Sequence, residues 1–229
     1  GPGRPGLGRK IRDFAPQVLV AAPLPALVCR HARQAAERCG APFVLMPCLH
    51  FHDGWPSLAS VREELGRADR VAPFTEAEAD FVRAAGVPSR QVRVIPGCAP
   101  GQDLLPPYTE PGEQPRVVML GRLALGKRWG VLAEAYSRLA AEIPELGLDL
   151  VGRDSAESPK VRALFQQLPG SAAERVRFHV DVDDEEKASI LRRAWMLALP
   201  SLAESFGLVL LEAWRAGRPV VVPEGTAQG

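Results

Sequence analysis

The chain has 229 residues, of which 46% are hydrophobic and 24% are charged, and its 28 basic and 27 acidic residues leave a net charge of +1. This composition is ordinary for a soluble globular protein of one or two domains, and it excludes disordered and fibrous chains. The two signs of charge are well mixed, so we expect no nucleic-acid partner, and any anion site must be local.

Short apolar runs alternate with helical patterns over residues 1–95. Strands are predicted at QVLVAAP, PFVLMP, DRVAPF and QVRVIP, and helices at ALVCRHARQAAERCG and TEAEADFVRAAG. Gly40 and Gly86 are placed to end these helices, and Thr75 with Glu78 three residues later forms a capping box. The alternation predicts an α/β lobe with a parallel sheet.

Residues 96–115, PGCAPGQDLLPPYTEPGEQP, are rich in Pro and Gly and are interpreted as an interdomain linker. The alternation restarts over residues 116–229, where strands are predicted at RVVML, LGLDLVG, RVRFHV, MLALP and RPVVVP. Helices are predicted at WGVLAEAYSRLAAEI, near VRALFQQL and at DDEEKASILRRA, where Asp183 and Glu186 form a second capping box. The sequence therefore predicts two Rossmann-like, doubly wound parallel-sheet lobes.

Two loops of the second lobe leave strands at the edge where doubly wound folds bind ligands. GRLALGK carries Arg122 and Lys127, and SLAES leads into a helix expected to begin near Ser205 or Phe206. A helix start suits a phosphate, Gly207 would allow close backbone approach, and two cations would neutralise a diphosphate.

Glu212 lies in an apolar run, so it should be partly buried, where an ionised carboxylate is costly without partners. It falls about 7 Å into the expected helix, which suits the vicinal hydroxyls of a ribose attached to the diphosphate. Glu204 would face the group on the other side of that diphosphate. Taken singly, Glu204 fits a carboxylate that complements the helix dipole equally well, and Arg122 and Lys127 fit solvated surface cations.

The stretch ESFGLVLLEAWRAGRPVV resembles the E-x7-E signature of retaining, nucleotide-sugar-dependent glycosyltransferases of the GT-B fold, family 4. GRLALGK resembles that family's G-R-L-x-x-x-K loop, and VRFHVDVDDEEKASILRRAWMLALPSLAE resembles the segment before the signature. ADRVAPFTEAEADFVRAAGVPSRQVRVIPGCAPG resembles its passage from the N-terminal lobe into the linker. The resemblance implies a hexosyltransferase (EC 2.4) that moves a sugar from a nucleotide-diphosphate-sugar donor to an acceptor hydroxyl with retained configuration.

The same resemblance implies roles for individual residues. Arg122 and Lys127 would hold the diphosphate, Glu212 the ribose and Glu204 the donor sugar. The expected donor-binding residues are Arg122, Lys127, Ser205, Phe206, Gly207, Leu208 and Glu212. No metal or cofactor is implied, because the donor phosphate itself helps to deprotonate the acceptor.

A histidine of the first lobe approaches the donor sugar in that family. In MPCLHFHDGW both His50 and His52 are candidates, and we prefer His50. HFHD also admits a metal site, although no further ligand follows at a convincing spacing. His31 and His179 lie within helix and strand patterns and are expected to be structural.

Family members begin with a strand and a glycine-rich loop and end with helices that follow a strand like RPVVV, so we expect both lobes to be incomplete here. The alternatives are a non-catalytic nucleotide-binding fragment or scaffold module, and an epimerase or phosphorylase of the same fold. The expected partners are a nucleotide-diphosphate sugar and a hydroxyl acceptor that is a saccharide, a lipid or a small molecule. A peripheral membrane contact and a partner chain that completes the lobes are left open.

Cysteine usage and the N-terminus bear on the compartment. The four cysteines lack CxxC spacing, which favours free thiols in a reducing environment. GPGRPGLGRK lacks the apolar core of a signal peptide, and no run of about 18 apolar residues is present. These features predict a cytoplasmic protein.

Overall fold

The computed structural model describes residues 7–51, 54–98, 110–202 and 204–224. These residues divide into two compact units, one running to Gly97 and including Glu204–Phe206, and the other containing the remainder from Cys98. Of the predicted linker, residues 96–115, the segment 99–109 lies outside the described residues.

The first unit has a parallel sheet in the order β1-β2-β3. Its buried core includes Leu45, Leu65, Val71 and Val82, which the helices cover. Its elements are α1 (Leu7–Phe14), β1 (Leu19–Ala21), α2 (Leu27–Cys39), β2 (Phe43–Leu45), α3 (Ala59–Gly66), β3 (Arg70–Val71) and α4 (Glu76–Ala84).

Two elements of this unit differ from the prediction. Helix α1 was not predicted, because Gly8 and the Gly and Pro residues around it weaken the helical signal. QVRVIP forms only a bridge between Val92 and Val71. The backbone N–H of Ile95 donates to the carbonyl of Pro73 at 2.9 Å. Proline has no backbone N–H, so Pro73 cannot donate a hydrogen bond to the facing segment, and the strand pairing stops at the bridge.

The second unit has a five-stranded parallel sheet in the order β6-β5-β4-β7-β8. Strand order reverses beside β4, so this sheet is doubly wound and has a topological switch point between β4 and β7. Its elements are β4 (Arg116–Leu120), α5 (Trp129–Glu142), β5 (Gly147–Gly152), α6 (Ser158–Gln166), β6 (Val176–Val180), α7 (Asp184–Arg193), β7 (Met196–Ala198), α8 (Leu208–Arg215) and β8 (Val220–Val221).

A separate core covers each face of this sheet. Met119 and Leu150 pack with Trp129 and Phe165 of α5 and α6. On the other face, the core contains residues of α7 and α8, among them Leu191 and Ala213. Burial of alternate strand residues on both faces explains the nearly continuous apolar strands of the sequence.

Both predicted N-cap side chains accept as expected, Thr75 Oγ1 from the N–H of Glu78 at 3.1 Å and Asp183 Oδ1 from that of Glu186 at 2.8 Å. The return bond of the first capping box differs, because the Glu78 carboxylate accepts from the N–H of Phe74 instead of that of Thr75. The prediction that the last helix begins near Ser205 or Phe206 was wrong. Gly207 has a φ of 76°, a left-handed conformation that cannot continue a helix backwards, so α8 begins at Leu208.

The four cysteines are free thiols. None of the described helices combines the length and the apolar character needed to cross a bilayer.

Candidate functional site

A cavity of about 470 Å³ opens at the carboxyl end of the second unit's sheet. Its walls come from the ends of β4 and β5, the loop after β6, and the helices α7 and α8. This is the edge at which the sequence placed a ligand site, and it adjoins the switch point of the sheet.

Backbone hydrogen bonds hold the loops of the cavity in register beyond the ends of the strands. The N–H of Gly121 bonds the carbonyl of Val151 at 3.0 Å, and the N–H of Asp181 bonds the carbonyl of Gly152 at 3.0 Å. A Cβ added to Gly152 would overlap the carbonyl oxygen of Gly121. Glycine at position 152 therefore allows two cavity loops to approach each other closely.

Glu212, in the second turn of α8, lines the cavity with only 8% of its surface exposed. Its Oε1 accepts a hydrogen bond from Nζ of Lys187 at 3.2 Å. Its Oε2 is buried and has no hydrogen-bond partner among the described residues. A buried acceptor of this kind costs about 1–3 kcal/mol when it is left unsatisfied, which makes it a candidate ligand contact.

Lys187 is a cavity residue that the sequence interpretation missed. Burial lowers the pKa of its ammonium group, but hydrogen bonds to Asp184 and Glu212 outweigh that effect, and the net pKa is raised. The group therefore stays cationic beside Glu212. The sequence carries one signal that Lys187 faces the interior. It precedes the buried Ile190 and Leu191 by three and four residues, so it lies on the apolar face of α7.

Arg122 and Lys127 lie where the GRLALGK loop meets the cavity. Arg122 lines the cavity directly. The methylene carbons of Lys127 lie 3.9 Å from the position of a Cβ on Gly121, which also lines it. Trp129 is fully buried and its Nε1–H bonds the carbonyl of Ala124 at 3.0 Å, which anchors the loop between the two cations.

The remaining predicted residues divide between the units. Gly207 is the N-cap residue of α8, and Leu208 is its first residue and is exposed. Glu204, Ser205 and Phe206 are partly buried and group with the first unit, as does His50. Their roles stay predictions. His52, and with it the HFHD alternative, lies outside the described residues.

Charges of both signs line the cavity. The cations are Arg122, Arg153 and Lys187, and the carboxylates are Asp181, Asp184 and Glu212. Asp181 has a φ of 54°, a left-handed conformation that aspartate tolerates better than most residues other than glycine. The arrangement can pair with an anion and also accept hydrogen bonds from hydroxyl groups.

His179 occupies a polar cluster on β5 and β6. Its Nε2 lies 2.8 Å from Oδ1 of the buried Asp149, and Arg116 donates to both oxygens of the same carboxylate. This geometry agrees with the structural role expected for His179.

Residues 114–228, half of the chain, match the family described as glycosyl transferases group 1. The chain is 36% identical over 116 residues to a phosphatidyl-myo-inositol mannosyltransferase of Mycolicibacterium smegmatis, covering 50% of this chain and 28% of that relative. It is 30% identical over 181 residues to a D-inositol 3-phosphate glycosyltransferase of Streptomyces griseus, covering 76% and 36%. The chain thus spans about a third of the length of these relatives.

Solved structures share the fold at low identity. The chain matches Anabaena Alr3699/HepE, crystallised with UDP-glucose, with a TM-score of 0.78 and 19% identity over 96% of this chain and 64% of the other. It matches a sucrose-phosphate synthase of Thermosynechococcus elongatus with a TM-score of 0.69 and 22% identity over 97% and 63%. The predicted α/β fold of two parallel-sheet lobes is confirmed, and the family match shows that this chain belongs to the group 1 glycosyl transferases.

Proposed function

We propose that the second unit binds the nucleotide diphosphate of a sugar donor, and that the protein transfers the sugar to an acceptor hydroxyl with retained anomeric configuration. The observation that carries this proposal is the buried Oε2 of Glu212, an acceptor without a partner among the described residues in a cavity of about 470 Å³. A hydroxyl of a bound ribose would satisfy it and remove the cost of leaving it unpaired.

The diphosphate would lie between the GRLALGK loop and the start of α8. Arg122 and Lys127 belong to that loop, and the first backbone N–H groups of a helix together with its dipole favour an anion. Lys187 holds the other oxygen of Glu212, so the carboxylate is oriented before a nucleotide arrives. Little of the binding free energy is then lost in ordering the site.

In the transfer step, a bond forms between the acceptor oxygen and the anomeric carbon of the sugar. The bond from that carbon to the diphosphate breaks, and its electron pair leaves with the diphosphate. The acceptor proton passes to a donor phosphate oxygen. Arg122 and Lys127 would stabilise the charge that develops on the leaving group, and we propose that neither a metal nor a cofactor takes part.

Glu204 and His50 are proposed to contact the transferred sugar, with Ser205, Phe206, Gly207 and Leu208 forming the remainder of the donor site. The name of one relative, a mannosyltransferase, supports a hexosyltransferase. The names of both relatives refer to inositol compounds, which bears on the acceptor. A polyhydroxylated acceptor, either an inositol derivative or a saccharide, is therefore the class to test first.

Calorimetric titration with UDP, GDP, ADP and TDP tests the donor site, with Lys127→Ala as the diagnostic variant. Lys160→Ala is the matched control, because Lys160 is exposed on α6 outside the cavity. We expect saturable binding of one nucleotide that is weakened in Lys127→Ala and unchanged in Lys160→Ala. Absence of binding by all four would overturn the proposed donor site.

Transfer is tested by incubating the chain with the matching nucleotide sugar and inositol or a saccharide, with NMR analysis of the product. An anomeric configuration equal to that of the donor supports retention, whereas the opposite configuration contradicts it. Nucleotide binding without transfer to any acceptor would favour the alternative of a non-catalytic nucleotide-binding module.

A further inference from the structure

Glu78, in the first turn of α4, is a buried carboxylate of the first unit to which the proposed transfer assigns no part. None of its surface is exposed. An ionised carboxylate is buried at this depth only when hydrogen bonds compensate for the lost water. The partners of Glu78 therefore show which part of the chain this carboxylate organises.

The two oxygens of Glu78 bond to two different loops. Oε1 accepts from the backbone N–H of Leu49 at 2.6 Å, and Oε2 accepts from that of Phe74 at 2.6 Å. Leu49 follows β2 and Phe74 follows β3, so one side chain ties together two loops at the carboxyl edge of the first sheet.

The loop after β2 has a conformation that requires such support. Cys48 has a φ of 53°, and the left-handed region costs a residue other than glycine about 1–2 kcal/mol. The bond from the N–H of Leu49 to Glu78 holds the residue that follows Cys48 and so opposes this cost. Leu49 is completely buried, which fixes the turn from its other side.

His50 is the next residue in this turn. Its ring packs edge-on against Trp55, with ring centroids 6.1 Å apart. The N–H of the preceding residue, Leu49, donates to the Glu78 carboxylate.

We propose that Glu78 is a positioning residue that orients His50 by holding the Cys48–His50 turn. This inference rests on the proposed function, in which the His50 imidazole approaches the donor sugar. Burial raises the pKa of the Glu78 carboxyl, and the hydrogen bonds from the N–H groups of Leu49 and Phe74 oppose that rise.

The test compares Glu78→Gln with Glu76→Gln. Gln keeps the shape of Glu78, but its NH₂ group cannot accept a hydrogen bond, so one of the two loops loses its partner. Glu76 lies in the same helical turn with an exposed side chain that pairs with Arg83 at 3.4 Å, so its substitution controls for the loss of one negative charge.

The primary measurement is NMR of protein labelled with ¹⁵N and with ¹³C-histidine, the His50 signal being assigned by its loss in His50→Gln. In Glu78→Gln we expect amide exchange to accelerate at least tenfold at Leu49 or at Phe74, whichever faces the NH₂ group, and the His50 ring signal to shift where it is Leu49. The His31 and His179 signals should not move, and Glu76→Gln should resemble the wild type. A His50 signal at its wild-type position in a folded Glu78 variant whose Leu49 amide exchange is accelerated overturns the proposal.

Glu78→Asp is measured beside Glu78→Gln under the same criteria, because a shift of the His50 signal in Glu78→Asp cannot come from loss of the nearby charge, and it stands alone if Glu78→Gln fails to fold by circular dichroism. Asp keeps the charge but is one methylene too short to reach both loops. The NMR measurement requires no turnover, so it decides the role of Glu78 even where the proposed function fails.

With transfer activity present, Glu78→Gln should lower kcat about tenfold at unchanged KM for the donor. Combining it with His50→Ala should cause no further loss beyond that of His50→Ala alone. Additive losses in kcat would mean that Glu78 acts independently of His50, which overturns the proposal.

Discussion

The ammonium Nζ of Lys187 lies 3.2 Å from Oε1 of Glu212, so a cation from α7 and a carboxylate from α8 meet at the cavity that both line. Lys187 also pairs with Asp184 at 2.9 Å, one turn earlier in the same helix. This relationship leaves the second oxygen of Glu212 buried and without a hydrogen-bond partner among the described residues.

Substitution of Glu212 should reduce nucleotide affinity. Glu212→Ala removes a charged hydrogen-bond acceptor from the ribose contact and should weaken nucleotide binding by about 1–3 kcal/mol. Calorimetric titration measures the loss, with Glu134→Ala as the control, since Glu134 forms an exposed pair with Arg138 on α5. Unchanged affinity in folded Glu212→Ala would refute the ribose assignment.

Lys187→Met should weaken nucleotide binding through Glu212. Methionine retains the length of the side chain but leaves the buried carboxylate without its cation. The carboxylate then loses its fixed orientation, so we expect a loss of affinity of about 1 kcal/mol or more. Glu212→Ala combined with Lys187→Met should lose less than the sum of the single variants. Strict additivity would indicate that the pair does not act as a unit.

Gly152→Ala should distort the cavity. Its Cβ would overlap the carbonyl of Gly121, and both partners are backbone, so relief requires the two loops to separate. We expect a loss of stability of about 1–3 kcal/mol with a concurrent loss of nucleotide binding. Gly130→Ala is the control, because a Cβ at this position in α5 meets no atom within 4 Å. Denaturant unfolding and calorimetry report the two effects, and wild-type behaviour of Gly152→Ala would contradict this account of the loop contact.

Acid stability should depend on Asp149. Burial raises the pKa of the Asp149 carboxyl, but hydrogen bonds from Arg116 and His179 outweigh it and hold the pKa below its ordinary value. A carboxyl whose pKa is lower in the folded state stabilises the fold above its unfolded pKa, and this stabilisation is lost as pH falls through the folded pKa.

Asp149→Asn should therefore lower the free energy of unfolding by about 3 kcal/mol at neutral pH, because it leaves Arg116 buried without an anion. The difference from the wild type should shrink as the pH falls below about 4. Urea unfolding at pH 7, 5 and 3 measures this difference in the free energy of unfolding. Asp80→Asn is the control, because the side chain of Asp80 is exposed. A difference that stays constant down to pH 3 would show that ionisation of Asp149 does not support the fold.

The caps of α4 and α7 illustrate how far local sequence determines local structure. Ser, Thr and Asp side chains accept from a backbone N–H three residues ahead, so Thr75 and Asp183 could be identified without knowledge of the fold. The carboxylate of Glu78, by contrast, bonds the N–H of Leu49, 29 positions earlier in the chain. That partner depends on the packing of α4 against the loop after β2.

Periodicity, caps and the apolar run around Glu212 were sufficient to determine the two α/β units, the strands of the second sheet and the burial of Glu212. These signals are carried within single elements or by a contiguous motif, because alternation and helical spacing record which face of an element is buried. Only the tertiary structure decided that Lys187 is the partner of Glu212, that Gly152 lies against Gly121 and that Glu78 holds the His50 turn. Each of these contacts joins elements that are distant along the chain, and the order of strands and the packing of helices bring them together.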